Sequence, residues 1–334
     1  MENHILFLWA IGMGDRIASI PYLLEMKLQW KKITLLEYDD KYIHRFYKKN
    51  DTLDFLKQNN LFDDLLVIPY NKFELFGFII KNLFKYNLAF APTKTFVISI
   101  WWHLFAKKFI YAFKNLNDNS KYDNFISWML QNNNIDFPSY KMQLKNIPYS
   151  RNYKNKYNIN WNYVTVYVWP YWWSIESKEW MKIFDYLNHS KMQIVLLWGD
   201  WEDREWWVKK HIKKYDNIIS LLWMTSFEEL FSIIQDAKFT ISANWWIMWL
   251  SHLLNEKSIS FSISSWFIIH PPVNNKTSFH IHANACPSPC EIRKNEWFYQ
   301  KNWYKHCIYY WTKKCAICKK AINSECIINL IKKL

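Results

Sequence analysis

Asp15 follows Gly12 and Gly14 in AIGMGDRIASIPYL, residues 10–23, where a short apolar strand turns into a helical pattern. In an open parallel sheet, loops at the carboxyl ends of strands line the ligand crevice. A carboxylate aimed into such a crevice can take a proton from a hydroxyl. An aspartate at a helix start can equally cap the first-turn amides. The residues alone leave both roles open. The glycine pattern is not the GxGxxG dinucleotide fingerprint, and no acidic residue fills that fingerprint's ribose role.

Three further strand-to-helix turns lie in the second half of the chain. VYVWPYWWSIESKEW, residues 166–180, carries Trp169, Trp172, Trp173 and Ser174 between a strand and a helix that starts near Ser177. Loop amides and a helix N-terminus favour phosphate, and Ser174 and Lys178 could add contacts. A plain turn is the alternative for that segment taken alone. LLWGDWEDRE, residues 196–205, repeats the pattern, with Asp200 or Glu202 able to accept hydrogen bonds from ribose hydroxyls or merely to open a solvated helix. ANWWIMWLSHLL, residues 243–254, sets Asn244, Trp245, Trp246 and Trp249 at a third such helix start, with His252 read as a packing residue. Three anion-type loops after three strands make a stronger case than any one of them.

Tryptophan is an odd residue for such turns, because glycine reaches φ > 0 freely and lets backbone approach a ligand. The chain has 4 glycines and 22 tryptophans. Average usage of about 7% glycine would give roughly 23. Four WW pairs occur, at Trp101–Trp102, Trp172–Trp173, Trp206–Trp207 and Trp245–Trp246. We read many of these tryptophans as glycine positions, as a genetic code that reads UGA as glycine would make them. ANWWIMWL then becomes ANGGIMGL, a glycine-rich turn into a helix. Trp180, inside a helix, fits as a true tryptophan.

Short apolar strands alternate with helical stretches, which predicts α/β architecture with parallel sheets. Strands are expected at 5–8, 33–36, 65–68, 88–90, 109–112, 164–168, 193–197, 218–222, 239–242 and 259–263. Helices are expected near 16–29, 41–48, 53–58, 73–84, 121–132, 178–187, 203–213, 227–234, 247–254 and 324–333. The pattern dissolves between Phe137 and Asn162 in a polar, proline-marked run. The expected organisation is an N-terminal domain over 1–150, a linker at 151–162, a second domain over 163–285, and a Cys-rich tail with a final helix over 286–334. That last helix has Ser324 as a candidate N-cap and Ile327, Ile328 and Ile331 on one side.

All six cysteines lie in the tail. Cys286, Cys290, Cys307, Cys315 and Cys318 could hold a structural zinc, although 16 residues between Cys290 and Cys307 is not a standard ribbon spacing. Free buried cysteines are the other reading. The formal net charge is +14, which favours an anionic partner: a phosphate-bearing small molecule, a membrane surface or nucleic acid. Lys and Arg are scattered and form no recognised nucleic-acid module. No charge-free apolar run reaches 18 residues, and MENHILFLWAIGMGDR has neither a basic n-region nor a small-residue cleavage site. The expectation is a cytoplasmic protein, with a basic face able to hold it at the inner face of a membrane.

With the glycines restored, the chain resembles glycosyltransferase family 9, the ADP-heptose–lipopolysaccharide heptosyltransferases. ILFLWAIGMGDRIASIPYLLEMK, LFDDLLVIPY, KYNLAFAPTKT and LLWMTSFEELFSIIQDAKFTISANWWIMWLSHLL carry the resemblance, and the Cys-Pro tail is similar too. It implies a GT-B fold: two Rossmann-like, doubly wound parallel-sheet domains facing a cleft, the first holding the acceptor and the second the nucleotide-sugar. It implies an inverting, metal-independent sugar transfer to a cell-envelope glycan or glycolipid, with no cofactor required, and Asp15 as the catalytic base. Donor contacts would come from the residues of the three loops above, with Thr225 added. The sequence departs from the family at Asn244, where an aspartate is usual, at Trp249, where a histidine is usual, and at Asn87. Those departures leave a non-catalytic nucleotide-sugar- or glycan-binding relative as a second reading, and the positive charge with the cysteine tail leaves a zinc-tailed nucleic-acid-binding protein as a third, ranked below it.

Overall fold

The computed structural model describes residues 4–8, 20, 23, 27, 32–38, 53, 56–57, 59–69, 71–91, 104–111, 152–168, 175, 177–197, 212, 214–221, 224–243, 246–254, 257–263, 278–283 and 322–334. The chain divides into two compact units, Met1–Asp118 with Ile126–Pro148, and Asn119–Phe125 with Tyr149–Leu334. Every pairing among the described strands is parallel.

The first unit contains β1 (His4–Leu8), β2 (Lys32–Tyr38), β3 (Asp64–Ile68), α1 (Lys72–Asn82), β4 (Tyr86–Ala91) and β5 (Ala106–Tyr111). Its five-stranded sheet runs β3-β2-β1-β4-β5. Leu6, Leu36, Tyr86, Ala89, Phe105 and Ala106 form a core on one face, where Phe78 and Ile79 of α1 join it. Ile5, Phe7 and Leu35, which alternate with these, are also fully buried. Both faces of the sheet are thus covered, as the near-continuous apolar strands require. Of the helix expected near 16–29, Ile20, Leu23 and Lys27 are described, and each is helical.

The second unit contains α2 (Tyr153–Tyr157), β6 (Tyr163–Tyr167), α3 (Ser177–His189), β7 (Gln193–Leu196), β8 (Ile218–Ser220), α4 (Phe227–Gln235), β9 (Thr240–Ala243), α5 (Trp246–Leu254), β10 (Ser258–Ile263), β11 (Ser278–Ala283) and α6 (Ser324–Ile331). Its six strands run β11-β10-β9-β6-β7-β8. One face buries Val164, Val166, Ile194, Leu196, Ile241, Ile259 and Phe261 against Trp180, Ile183, Phe184 and Leu187 of α3 and Ile327 and Ile331 of α6. On the other face the Tyr163 hydroxyl donates to the Ile233 carbonyl of α4 at 2.7 Å. The described sheet is therefore covered by helices on both sides. Among the described residues no helix is long and apolar enough to cross a membrane.

The structure differs from the sequence expectations in three places. Residues 151–162, read as a linker, include α2, which ends on Asn158 at φ 55. Tyr153 of that helix is fully buried, and its hydroxyl donates to Asp236 at 2.6 Å. Tyr157 donates to Glu229 at 2.8 Å, and Lys156 pairs with the same carboxylate at 2.7 Å. The polar composition hid a helix that is held by contacts more than 70 residues away in sequence. β11 was not anticipated, because SFHIHA lies beyond the apolar pattern at the sheet edge. The final helix, assigned to a separate tail, is instead part of the second unit's core.

The docking of α6 shows why. Its N-cap is Asn323, whose side chain accepts from the Cys326 amide at 3.0 Å. Ser324, expected as the cap, instead donates its amide (2.8 Å) and its hydroxyl (2.6 Å) to Glu179 of α3. Lys182 adds an ion pair to Glu179 at 3.1 Å. Burial opposes ionisation of Glu179, but the Ser324 and Lys182 hydrogen bonds outweigh it and hold the carboxyl at about 2, against an ordinary 4.5. A depressed folded-state pKa gives stability that is present above the unfolded value and lost as pH falls through the folded one. Glu179→Ala is expected to lower unfolding free energy at neutral pH by about 2–4 kcal/mol. Denaturant titrations between pH 5 and pH 2 should show a loss of stability in the parent that is smaller in this variant. Equal slopes in the two proteins would remove Glu179 as the cause.

Candidate functional site

In each unit the order of strands creates one point where successive connections leave in opposite directions. In the second unit the chain runs β6, β7, β8 toward one edge, then crosses back to β9 on the other side of β6 and continues to β10 and β11. The reversal falls between β6 and β9, which pair with Thr165 opposite Thr240, Val166 opposite Ile241 and Tyr167 opposite Ser242. Ligands of open α/β sheets bind outside the carboxyl ends of strands at such a point.

The helices that follow these two strands diverge. α3, after β6, packs on the face that holds Val164 and Val166. α5, after β9, packs with α4, whose Ile233 carbonyl accepts the Tyr163 hydroxyl on the opposite face. Two helices thus start from the carboxyl ends of adjacent strands and go to opposite sides of the sheet. The four leading amides of each lack intrahelical acceptors, which makes a helix start a place for anionic ligands.

The sequence-predicted residues distribute around this point as follows. Lys178 is the second residue of α3 and is exposed. Trp246 and Trp249 are the first and fourth residues of α5. Trp169, Trp172, Trp173 and Ser174 belong to the β6–α3 connection, and Asn244 and Trp245 to the β9–α5 connection. All six lie outside the described residues, as do Asp200 and Glu202 beyond β7. Thr225 is half-buried on the turn between β8 and α4, at the sheet edge two strands from β6. That turn is held firmly. Ser226 and Glu229 form a reciprocal capping box, with contacts of 3.1 and 2.8 Å. Burial again opposes ionisation of Glu229, and hydrogen bonds from Lys156, the Ser226 amide and Tyr157 more than offset it, so its carboxyl stays below the ordinary range.

Ser242 is a polar group that the loop-based sequence reading missed. It is fully buried one residue before the end of β9, and its Oγ has no hydrogen-bond partner among the described residues. Thr165 and Thr240, one step back along the same pair of strands, satisfy each other at 2.7 Å. Only the pairing of β6 with β9 distinguishes Ser242 from other strand serines, so TISA alone carries no signal for it.

In the first unit the same logic selects β1 and β4. β1 is central, β2 and β3 extend to one side, and β4 and β5 to the other. The connection that leaves the carboxyl end of β1 contains Gly12, Gly14 and Asp15, which lie outside the described residues. The tail cysteines Cys286, Cys290, Cys307, Cys315 and Cys318 also lie outside them, while Cys326 of α6 is an exposed free thiol. Among the described residues no cluster of three or more His, Cys, Asp or Glu could hold a metal ion.

Comparison of the whole chain with solved structures adds to this topology. A glycosyl transferase family 9 structure from Veillonella parvula is similar at a TM-score of 0.66 and 11% identity, covering 99% of this chain and 96% of that one. The chain shares the fold of family 9 glycosyltransferases. The ADP-heptose LPS heptosyltransferase II of E. coli is similar at a TM-score of 0.57 and 10% identity, over 86% of this chain and 96% of that one. The E. coli heptosyltransferase WaaC, solved with ADP-2-deoxy-2-fluoro heptose, is similar at 0.55 and 13% identity, over 90% and 99%. No protein-family model and no curated protein matches the sequence.

Proposed function

We propose that this protein is an inverting GT-B glycosyltransferase that moves a heptose-like sugar from a nucleoside-diphosphate donor to a hydroxyl of a cell-envelope glycan or glycolipid. The observation that carries the reading is the reversal of strand order between β6 and β9, with a helix starting from each and a fold shared with the family 9 structures. The donor's diphosphate meets the starts of α3 and α5, where Lys178 adds charge. The acceptor is held by the first unit, beside the connection after β1. Asp15 takes the proton from the acceptor hydroxyl. That oxygen attacks the anomeric carbon from the face opposite the diphosphate, the carbon–oxygen bond to the diphosphate breaks, and the configuration inverts. Helix-start amides stabilise the negative charge that develops on the leaving group. No metal or cofactor is assigned a step, and the solved relative with an ADP-heptose analogue supports an ADP-type donor.

The test is a panel of ADP-, UDP- and GDP-sugars, first for binding by thermal shift and then for nucleoside-diphosphate release with envelope glycolipid as acceptor. Acceptor-dependent release from one donor is the expected result. Binding without release would instead support the non-catalytic relative, in keeping with Asn244 and Trp249. Failure of every donor to bind would end the proposal.

A further inference from the structure

The most unusual surface of the described residues belongs to α1. Phe73 is 90% exposed, Phe76 68%, Ile80 56% and Phe84 58%. Phe73, Phe76 and Ile80 are spaced i, i+3, i+7 and so form one stripe along the helix. The opposite side of α1 is the side that packs: Phe78 meets Phe105 edge-on at 5.7 Å, and Asn82 is buried with its amide donating to the Phe78 carbonyl at 2.8 Å. α1 is thus apolar on its inner and its outer face. A second apolar face on a helix whose first face already packs is ordinarily covered, and exposed contiguous apolar stripes mark interaction surfaces.

We propose that the outer face of α1 lies on the surface of an anionic lipid bilayer. Charge selects this occupant over a second copy of the chain. Lys81 and Lys85 are exposed at the C-terminal end of the stripe, and the segment 72–85 holds three lysines against Glu74. The whole chain carries a net +14, so two copies face-to-face repel while an anionic surface attracts. Phenylalanines on one face with lysines at its margin is the composition of helices that lie in the bilayer interface, the lysine heads reaching the phosphates. Gly77 sits on the same outer side with nothing within 4 Å of an added Cβ, so the face has room for further apolar contact. Lipid contact through α1 does not depend on sugar transfer.

The experiment is cosedimentation of the full chain with vesicles of phosphatidylcholine alone and of phosphatidylcholine with one quarter phosphatidylglycerol. Binding to the anionic vesicles is expected, with at least a fivefold loss on neutral vesicles or in high salt. Phe73→Ser with Phe76→Ser and Ile80→Ser should lower the bound fraction at least tenfold without changing the melting temperature, since all three are exposed. Gly77→Leu should raise it. The idea is overturned by absence of binding to anionic vesicles, or by a triple variant that binds like the parent. A lipid-free dimer that the triple variant dissolves would also overturn it, and would make the stripe a self-interface.

Discussion

Asp15→Ala is expected to lower turnover by at least 100-fold and up to about 10,000-fold, the range that a positioned general base contributes. Donor affinity should change less than threefold, because the nucleotide-sugar is assigned to the second unit. Among the described strands of the first unit β1 is central, and the chain leaves its carboxyl end directly into the connection that contains Gly12, Gly14 and Asp15. An acidic residue on that connection stands where an open sheet presents groups to a ligand. If Asp15 only capped a helix, its loss would cost about 1 kcal/mol of stability and leave turnover intact. Asp15→Asn separates the two roles, since asparagine caps as well as aspartate but cannot accept the proton. Single-turnover measurements of diphosphate release, with the melting temperature as control, decide between them. An Asp15→Asn enzyme with parental turnover would return Asp15 to the cap reading.

The strands were legible because parallel sheets bury both faces. YVTVY in β6 and KITLLEY in β2 are apolar enough to read as interior strands without alternation. Strand order was not legible, since nothing local in TISA or YVTVY says that β9 returns to the flank of β6. The proposed site depends on that order, so sequence reasoning found the loops but not that two of them follow neighbouring strands, nor Ser242 near the end of one. α2 escaped for another reason. KNKY has no apolar period, and the helix is stabilised by the tyrosine hydroxyls of Tyr153 and Tyr157 reaching Asp236 and Glu229. The stripe on α1 was visible as a run of apolar residues over 73–84, but such a run does not say which face the core takes.

The tryptophan pattern yields the second large effect. β9 ends at Ala243 and α5 starts at Trp246, so two residues, Asn244 and Trp245, separate strand from helix. Connections this short call for small residues, and an anion reaches helix-start amides only where no bulky side chain intervenes. Trp180 is the internal contrast. It is fully buried, stacks on Phe184 at 6.0 Å and meets Phe261 at 5.7 Å. An indole is required there by packing, and Trp180→Gly should cost about 4–6 kcal/mol through the cavity and the added helix glycine. The opposite is expected when Trp169, Trp172, Trp173, Trp245, Trp246 and Trp249 are all replaced by glycine. Titration calorimetry with ADP should then show binding at least 100-fold tighter than that of the chain with six tryptophans. The gene should carry UGA at those six codons and UGG at codon 180. Six UGG codons, or a six-glycine protein that binds ADP no better, would mean that the turns are built around indoles and that the diphosphate is held elsewhere.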